Sequence, residues 1–363
     1  MIKRDIFEDL FVLEMANNHW GRIERGLQIV DDYSKVVRYN NIRAAIKFQL
    51  RDVDSFIHPD HADRTDIRYI KKTIDTRLSN QDFARLADHI RKSGCIPMAT
   101  PFDEPSVDLC VELGLPILKL ASSDLNDWVL IEKMASTKIP VIASTGGSSL
   151  KDIDDLVTFF ENRSIPLALN HCVSLYPSED RDLELNQIDF LANRYPGVTI
   201  GFSSHEYHDW QLSIAIAYGK GARTFERHVD IEADGISVSP YCSLPDQADT
   251  WFKAFNKAKE MCGGSGDSKR IPSQGEIEYL DGLVRGVYAR VDLPSGHRLT
   301  DQDFFLAIPL LKGQLSCREL IGGEELAKPI LANEPLTIDH LDNPYSRTTR
   351  LGDTIRDRGI DPL

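Results

Sequence analysis

The sequence predicts a closed (β/α)8 barrel of the TIM type followed by a small, mostly β module, and three observations predict it. Eight short apolar runs alternate with helical patterns over about 260 residues, which is the period of such a barrel. Polar residues interrupt or end nearly every run: Glu14, Lys47, Thr100, Lys119 with Ser122, Ser144, His171, Ser203, then Glu226 and His228. A closed ring accounts for that distribution better than an open doubly wound sheet, whose ligand gathers at one switch point. Gly263 to Gln274 (GGSGDSKRIPSQ) then reads as a linker, and the chain beyond it changes character.

Taken in order, Leu10 to Asn17 is the first strand, with a helical pattern from Arg22 to Val37. Ala44 to Leu50 is the second, interrupted by Lys47 and Gln49. After a polar excursion come helical stretches at Asp66 to Leu78 and Gln81 to Lys92. Cys95 to Thr100 and Ile117 to Ser122 are the third and fourth strands, each followed by a helix, Glu104 to Leu113 and Asp127 to Ser136. Val141 to Thr145 opens into Gly146, Gly147, Ser148 and Ser149 before the helix Leu150 to Asn162. Leu167 to Cys172 is the sixth strand, and its loop holds Ser174, Tyr176 and Pro177.

The stretch from Thr199 to Asp230 carries the chemistry. Side chains alternate along a strand, so Thr199, Gly201, Ser203 and His205 share one side, as do Thr224, Glu226 and His228. Asp209 to Tyr218 is the crossover helix between them, which makes the two strands parallel and brings both imidazoles to the carboxyl-end face. Parallel strands are usually apolar on both faces, so Glu226, Arg227 and His228 in succession need a reason. Either imidazole alone reads as a satisfied core histidine; the two together, with Glu226 close by, predict a divalent metal site. His208 starts the following helix and is expected to be exposed. Pro245 to Met261 is the last barrel helix.

Lys47 and Lys119 on neighbouring strands, with the STGGSS turn and the helix start after it, predict an anion site. A phosphate or carboxylate clamp, a metal and two carboxylates able to move protons suit carbon–carbon bond formation at an aldehyde. The same residue types also suit a metal-dependent aldolase or hydrolase, or a binding protein without turnover.

The 363 residues carry 42 Lys and Arg against 56 Asp and Glu, a net charge of −14, which argues against nucleic acid or a membrane surface as partner. The six cysteines form no CxxC pair and fit free, mostly buried thiols. No segment has the apolar length of a signal peptide or a membrane span, so a cytoplasmic location is expected. Residues 1–262 read as the barrel, 263–282 as linker, 283–343 as the small module and 344–363 as a loosely held polar tail. Within the module VYARVDL and LAKPIL read as strands, PSGH and ANEP as turns, and Thr300 to Phe304 as a short helix.

From Leu10 to Asp342 the chain carries, in order, EMANNHWG, KFQ, MATPFDEPSVD, LKLASSDLND, PVIASTGGS, LNHCVSLYP, GFSSH and FERHVDI. In these it resembles the sialic acid synthase family, which condenses phosphoenolpyruvate with an amino-sugar aldehyde to give N-acetylneuraminic, legionaminic or pseudaminic acids. The resemblance implies a TIM barrel joined to an antifreeze-like SAF domain, assembled as a domain-exchanged homodimer. It implies that His205 and His228 hold Mn2+ or Mg2+, and that Lys47, Thr100, Lys119, Ser122, Ser144, Ser174 and Ser203 bind phosphoenolpyruvate. Gln49 joins the substrate-binding set, Tyr176 faces the sugar, and Glu14, Glu226 and Lys119 are the catalytic candidates.

Three departures from the family pattern stand on the acceptor side. Ser239 and Pro240, in SVSPYCSL, replace an acid and a histidine. Ile308 and Pro309 stand where an Arg-Pro pair is usual, with Lys312, Gln314 and Arg318 just beyond as candidate replacements. Ser174 stands where asparagine is frequent. The chemistry is therefore expected to be retained and the acceptor altered.

Overall fold

The computed structural model describes residues 5–264, 266–319, 323–342 and 349–361. The chain divides into two compact units, Met1–Gly263 and Gly264–Leu363.

In the first unit eight parallel strands close into a barrel in sequential order: β1 (Leu10–Ala16), β2 (Ala44–Leu50), β3 (Ile96–Pro101), β4 (Leu118–Leu120), β5 (Val141–Ser144), β6 (Leu167–Cys172), β7 (Thr199–Ser204) and β8 (Thr224–His228). The register levels the polar positions. Glu14 lies opposite Lys47 on one side and His228 on the other, and Ser203 lies opposite Glu226. Inward-facing residues form layers, as the alternation requires. Leu10, Val12, Ala45, Met98, Ile117, Ile142 and Ala168 fill the lower barrel, plugged by Phe7. Above them Thr224 donates to Asn170 at 2.5 Å, and a Cβ on Gly201 would sit 1.9 Å from the Thr224 hydroxyl. Polar side chains take over from that level upward.

The helices cover the outside: α1 (Ile23–Tyr39), α2 (Val53–Phe56), α3 (Arg68–Asp75), α4 (Asn80–Lys92), α5 (Glu104–Glu112), α6 (Trp128–Ser136), α7 (Leu150–Glu161), α8 (Asn186–Arg194), α9 (Leu212–Gly219) and α10 (Pro245–Cys262). α1 shows why they form where they do. Ile23, Gly26, Ile29, Val30, Tyr33 and Val37 make a buried stripe at helical spacing, and each large apolar member contributes about 2 kcal/mol by burial.

Two parts of the barrel depart from the sequence expectation. Helix α8 fills a stretch to which the sequence reading assigned no element, because it buries only Ile188 and Leu191 on its inner face. His171 turns outward rather than into the ring. Its Nε2 is 2.7 Å from the Leu183 carbonyl and its ring stacks on Phe202, while Asn170 takes the inward position.

In the second unit β9 (Gly286–Ala289) pairs antiparallel with β10 (Phe304–Ala307), and β11 (Glu325–Leu326) with β12 (Leu341–Asp342). Val287, Leu293, Leu299, Leu315, Leu326, Ile330, Leu336 and Ile338 form its own core. Here the expectations need four corrections. The second half of the linker is helical, α11 (Gln274–Asp281), capped by the Ser273 hydroxyl. Thr300 begins a turn rather than a helix, because the Asp303 carboxylate accepts from the Thr300 amide and hydroxyl and faces His297 at 3.0 Å. The tail is docked rather than loose. Its helix Thr349–Asp357 buries Ile355 in the small core, and Arg358 grips Glu319 through two 2.7 Å bonds. Of the candidate replacements beyond Ile308, Gln314 is buried against β9, donating to the Val287 carbonyl, and Lys312 pairs with Asp361 at 2.8 Å. Both are committed to the unit's own structure. Arg318 is exposed.

Candidate active site

All thirteen residues singled out in the sequence line one cavity of about 380 Å3 at the carboxyl ends of the barrel strands. Their parity brings them there. Glu14, Lys47, Gln49, Thr100, Lys119, Ser144, Ser203, His205, Glu226 and His228 occupy inward positions, while Ser122, Ser174 and Tyr176 come from the loops after β4 and β6. Phe102, Ser123, Gly146 and Cys172 also line it. The period-2 rule could have found two of these, since Phe102 follows Thr100 by two and Cys172 follows Asn170 by two.

The two lysines have different surroundings. Lys47 is ion-paired with Glu14, lies 3.4 Å from Glu226 Oε1 and donates to the Thr100 hydroxyl at 2.8 Å. Burial alone lowers a lysine, but Glu14 and Glu226 outweigh it and hold this ammonium above its usual range. Lys119 donates to the Ser144 hydroxyl at 2.7 Å and the Leu120 carbonyl at 3.1 Å. With no carboxylate bonded to it, burial pulls it down. The expectation of two lysines both open to an anion is therefore corrected: Lys119 is open, and Lys47 is already compensated.

The carboxylates diverge too. Burial pushes Glu14 up against the pull of Lys47, and its other oxygen accepts from Gln49 at 3.0 Å. Burial also acts to raise Glu226, but Lys119 and Lys47 outweigh it and bring it below the ordinary range, and its Oε2 is buried without a partner. Two acids pushed apart in this way can divide proton donation from proton acceptance.

The hydroxyls of Ser122 and Ser174 face Gly146. Its amide donates to Ser122 Oγ at 3.1 Å, and a Cβ there would lie 2.3 Å from Ser174 Oγ, so only glycine leaves this cradle open. The helix start contributes less than expected. Ser149 caps α7 in a closed box with Asp152, and Ser148 and Ser149 lie outside the cavity lining.

The imidazole rings of His205 and His228 face the cavity with centroids 5.4 Å apart. Burial lowers His205 to about 4, and burial followed by His205 and Lys47 takes His228 well down, so both are neutral near pH 7. His205 Nδ1 lies 2.9 Å from the Val173 carbonyl, which makes Nδ1 the protonated nitrogen and leaves Nε2 its lone pair. Neutral imidazoles beside an unpartnered carboxylate oxygen are a donor set a divalent ion accepts. Among the described residues no group of three His, Cys, Asp or Glu side chains stands close enough together to hold a metal by itself. Tyr176 and Tyr241 border the rings, with Tyr176 4.0 Å from His205 and Tyr241 5.2 Å from His228. His208 lies outside, exposed and 3.8 Å from Glu179.

Arg227 faces outward between these strands. It donates to Ser243 Oγ at 2.9 Å, Ser204 Oγ at 3.0 Å and the Glu206 carbonyl at 2.7 Å, and pairs with Glu206 Oε1 at 2.8 Å. The three successive polar residues of β8 thus alternate cavity, clamp, cavity.

Residues 41–265 match the NeuB family, and residues 284–342 match the SAF domain. The chain belongs to the NeuB family. Its structure superposes on that of a putative spore coat polysaccharide biosynthesis protein E from Chromobacterium violaceum with a TM-score of 0.89 and 35% identity, over 93% of this chain and 100% of that one. An N-acetylneuraminate-9-phosphate synthase of Drosophila melanogaster is 27% identical over 93% of this chain and 97% of its own. An N,N'-diacetyllegionaminic acid synthase of Legionella pneumophila is 28% identical over 73% and 74%.

Proposed function

We propose that this protein is a phosphoenolpyruvate-dependent synthase of a nonulosonic, sialic-acid-like sugar acid. The observation that carries the reading is Lys119, a buried cation bonded only to a hydroxyl and a carbonyl, in the same cavity as two neutral imidazoles and two carboxylates of opposite tendency. A buried ammonium without a carboxylate is costly, and an anionic ligand removes that cost.

Phosphoenolpyruvate fits the Lys119 side, its phosphate on Lys119 and the Ser122, Ser144 and Ser174 hydroxyls about Gly146. His205 and His228 would hold a divalent ion, Mn2+ or Mg2+, which when bound polarises an aldehyde oxygen. C3 of the enol attacks the aldehyde carbon, water adds at C2, and the C2–O bond breaks to release phosphate and leave a 2-keto acid three carbons longer. Glu14, its carboxyl pushed up by burial against the pull of Lys47, is the group that passes a proton to the former aldehyde oxygen. Glu226, held ionised, takes the proton that the added water loses. Gln49 fixes Glu14, and Tyr176 presents its ring to the sugar. A cytoplasmic homodimer in carbohydrate biosynthesis belongs to the same proposal. Mass spectrometry of products formed from phosphoenolpyruvate, Mn2+ and a mixture of N-acylated hexosamines and hexoses tests it. An acid three carbons longer than one aldehyde, with an equivalent of phosphate, is expected; untouched phosphoenolpyruvate with every aldehyde overturns it.

A further inference from the structure

Glu14 is held by a residue that is itself held. Gln49 Nε2 donates to Glu14 Oε1 at 3.0 Å, and both residues line the cavity. An amide side chain has a donor end and an acceptor end of nearly the same shape, so half a turn about its last bond exchanges them. Glu14 does not by itself choose between the two. Ionised, it accepts from the amide N–H; protonated, it can donate to the amide oxygen. A residue that passes a proton takes both forms.

The choice is made behind Gln49. Lys47, Gln49 and Arg51 occupy alternate positions along β2 and just past its end, so they share one side of the chain. Arg51 Nη1 donates to Gln49 Oε1 at 3.2 Å, and Asn17 Nδ2 reaches the same oxygen at 3.4 Å. A guanidinium has donors and no acceptor, so only the oxygen end of the amide can face it. Its place is fixed in turn by the next strand. Gln49 lies opposite Thr100 and Leu50 opposite Pro101, and the Phe102 amide donates to the Leu50 carbonyl at 3.1 Å. This sets Phe102 beside Arg51, whose Cζ lies 3.7 Å from the ring centroid. Burial lowers Arg51 to about 10 against the support of Asp124, Asp103 and Glu14, so it stays charged at neutral pH.

We propose that Arg51, which lies outside the cavity lining, is a positioning residue for the proton donor: it fixes the sense of the Gln49 amide, so that the N–H end faces Glu14 throughout turnover. A flipped amide would draw the Glu14 proton into an internal hydrogen bond and withhold it from the substrate. The inference rests on the synthase reading, in which Glu14 passes a proton, and deepens it by one residue.

Two measurements test it: phosphate release from phosphoenolpyruvate with Mn2+ and the aldehyde mixture, and nitrogen-15 spectra of the Gln49 side-chain amide, assigned by its loss in Gln49→Met. Arg51→Met keeps an apolar stem on Phe102 and removes the donor. It is expected to lower kcat about tenfold or more with KM for phosphoenolpyruvate unchanged, and to shift the Gln49 amide signals and speed their exchange with water. Arg51→Lys, which also only donates, is expected to recover most of both. Adding Arg51→Met to the impaired Gln49→Met should cost no further kcat, because Arg51 acts through the amide. A kcat within about twofold of the parent in Arg51→Met, an equal loss in Arg51→Lys, or losses that multiply in the double variant overturns the inference. A parent protein that leaves phosphoenolpyruvate untouched overturns the synthase reading instead. The amide spectra still test the orienting role in that case, and Gln49 signals indifferent to Arg51→Met overturn it.

Discussion

The barrel mouth has two halves, each built round a buried lysine. Around β1, β2 and β8, Lys47 is neutralised by Glu14 and Glu226 and bonded to Thr100. Around β4 and β5, Lys119 has only Ser144 and the Leu120 carbonyl. The first half is a closed electrostatic unit whose members hold one another's protonation states. The second is open: Glu226 acts on Lys119 without bonding it, which leaves this ammonium available to an anionic ligand. Two residues of one type and equal burial thus have opposite dependence on ligand.

The largest effect separating the halves is expected from Lys119→Met. Phosphate release should fall by about a thousandfold or more, with no loss of melting temperature in the unliganded protein. A destabilised unliganded variant would reveal an internal partner for Lys119 and abolish the contrast. Glu14→Gln should lower kcat about a hundredfold or more and remove the alkaline limb of its pH profile. That limb should lie above the usual carboxyl range, because Glu14 is raised.

Lys47→Met should instead act on folding. It leaves two carboxylates buried together, and denaturant titration should show a loss of about 3–5 kcal/mol. Adding Glu14→Gln to that variant should restore part of the loss, whereas purely additive losses would show that the unit is not coupled. Outside both halves, His19 gives the baseline. Burial lowers it to about 4 against an unfolded value of 6.5, so between these values the unfolded chain binds more protons. Its contribution is present above pH 6.5 and lost as pH falls toward 4, about 3 kcal/mol in all. His19→Phe should make that part of the stability curve less steep, the remaining slope coming from His205 and His228.

Alternation in the strands made most of this site readable. Once the apolar runs were placed, Glu14, Lys47, Thr100, Lys119, Glu226 and His228 had to face inward, and the structure gathers them all round one cavity. His171 was read as a site marker on polarity alone, whereas parity with the inward Ala168 and Cys172 gives the inward position to Asn170, which accepts from Thr224. The pairing of Lys47 depends on three strands meeting in register and leaves no local trace. The docked tail was hidden for a related reason: a polar helix held by Ile355 and a distant Arg358–Glu319 pair looks like solvated chain.

The Arg227 clamp has a consequence for how such an enzyme changes. One guanidinium rivets the outer sides of two staves, so the spacing of the imidazoles they carry is set by masonry behind the wall and not by the loops in front of it. Those loops can drift toward a new sugar while the reacting centre stays where it was.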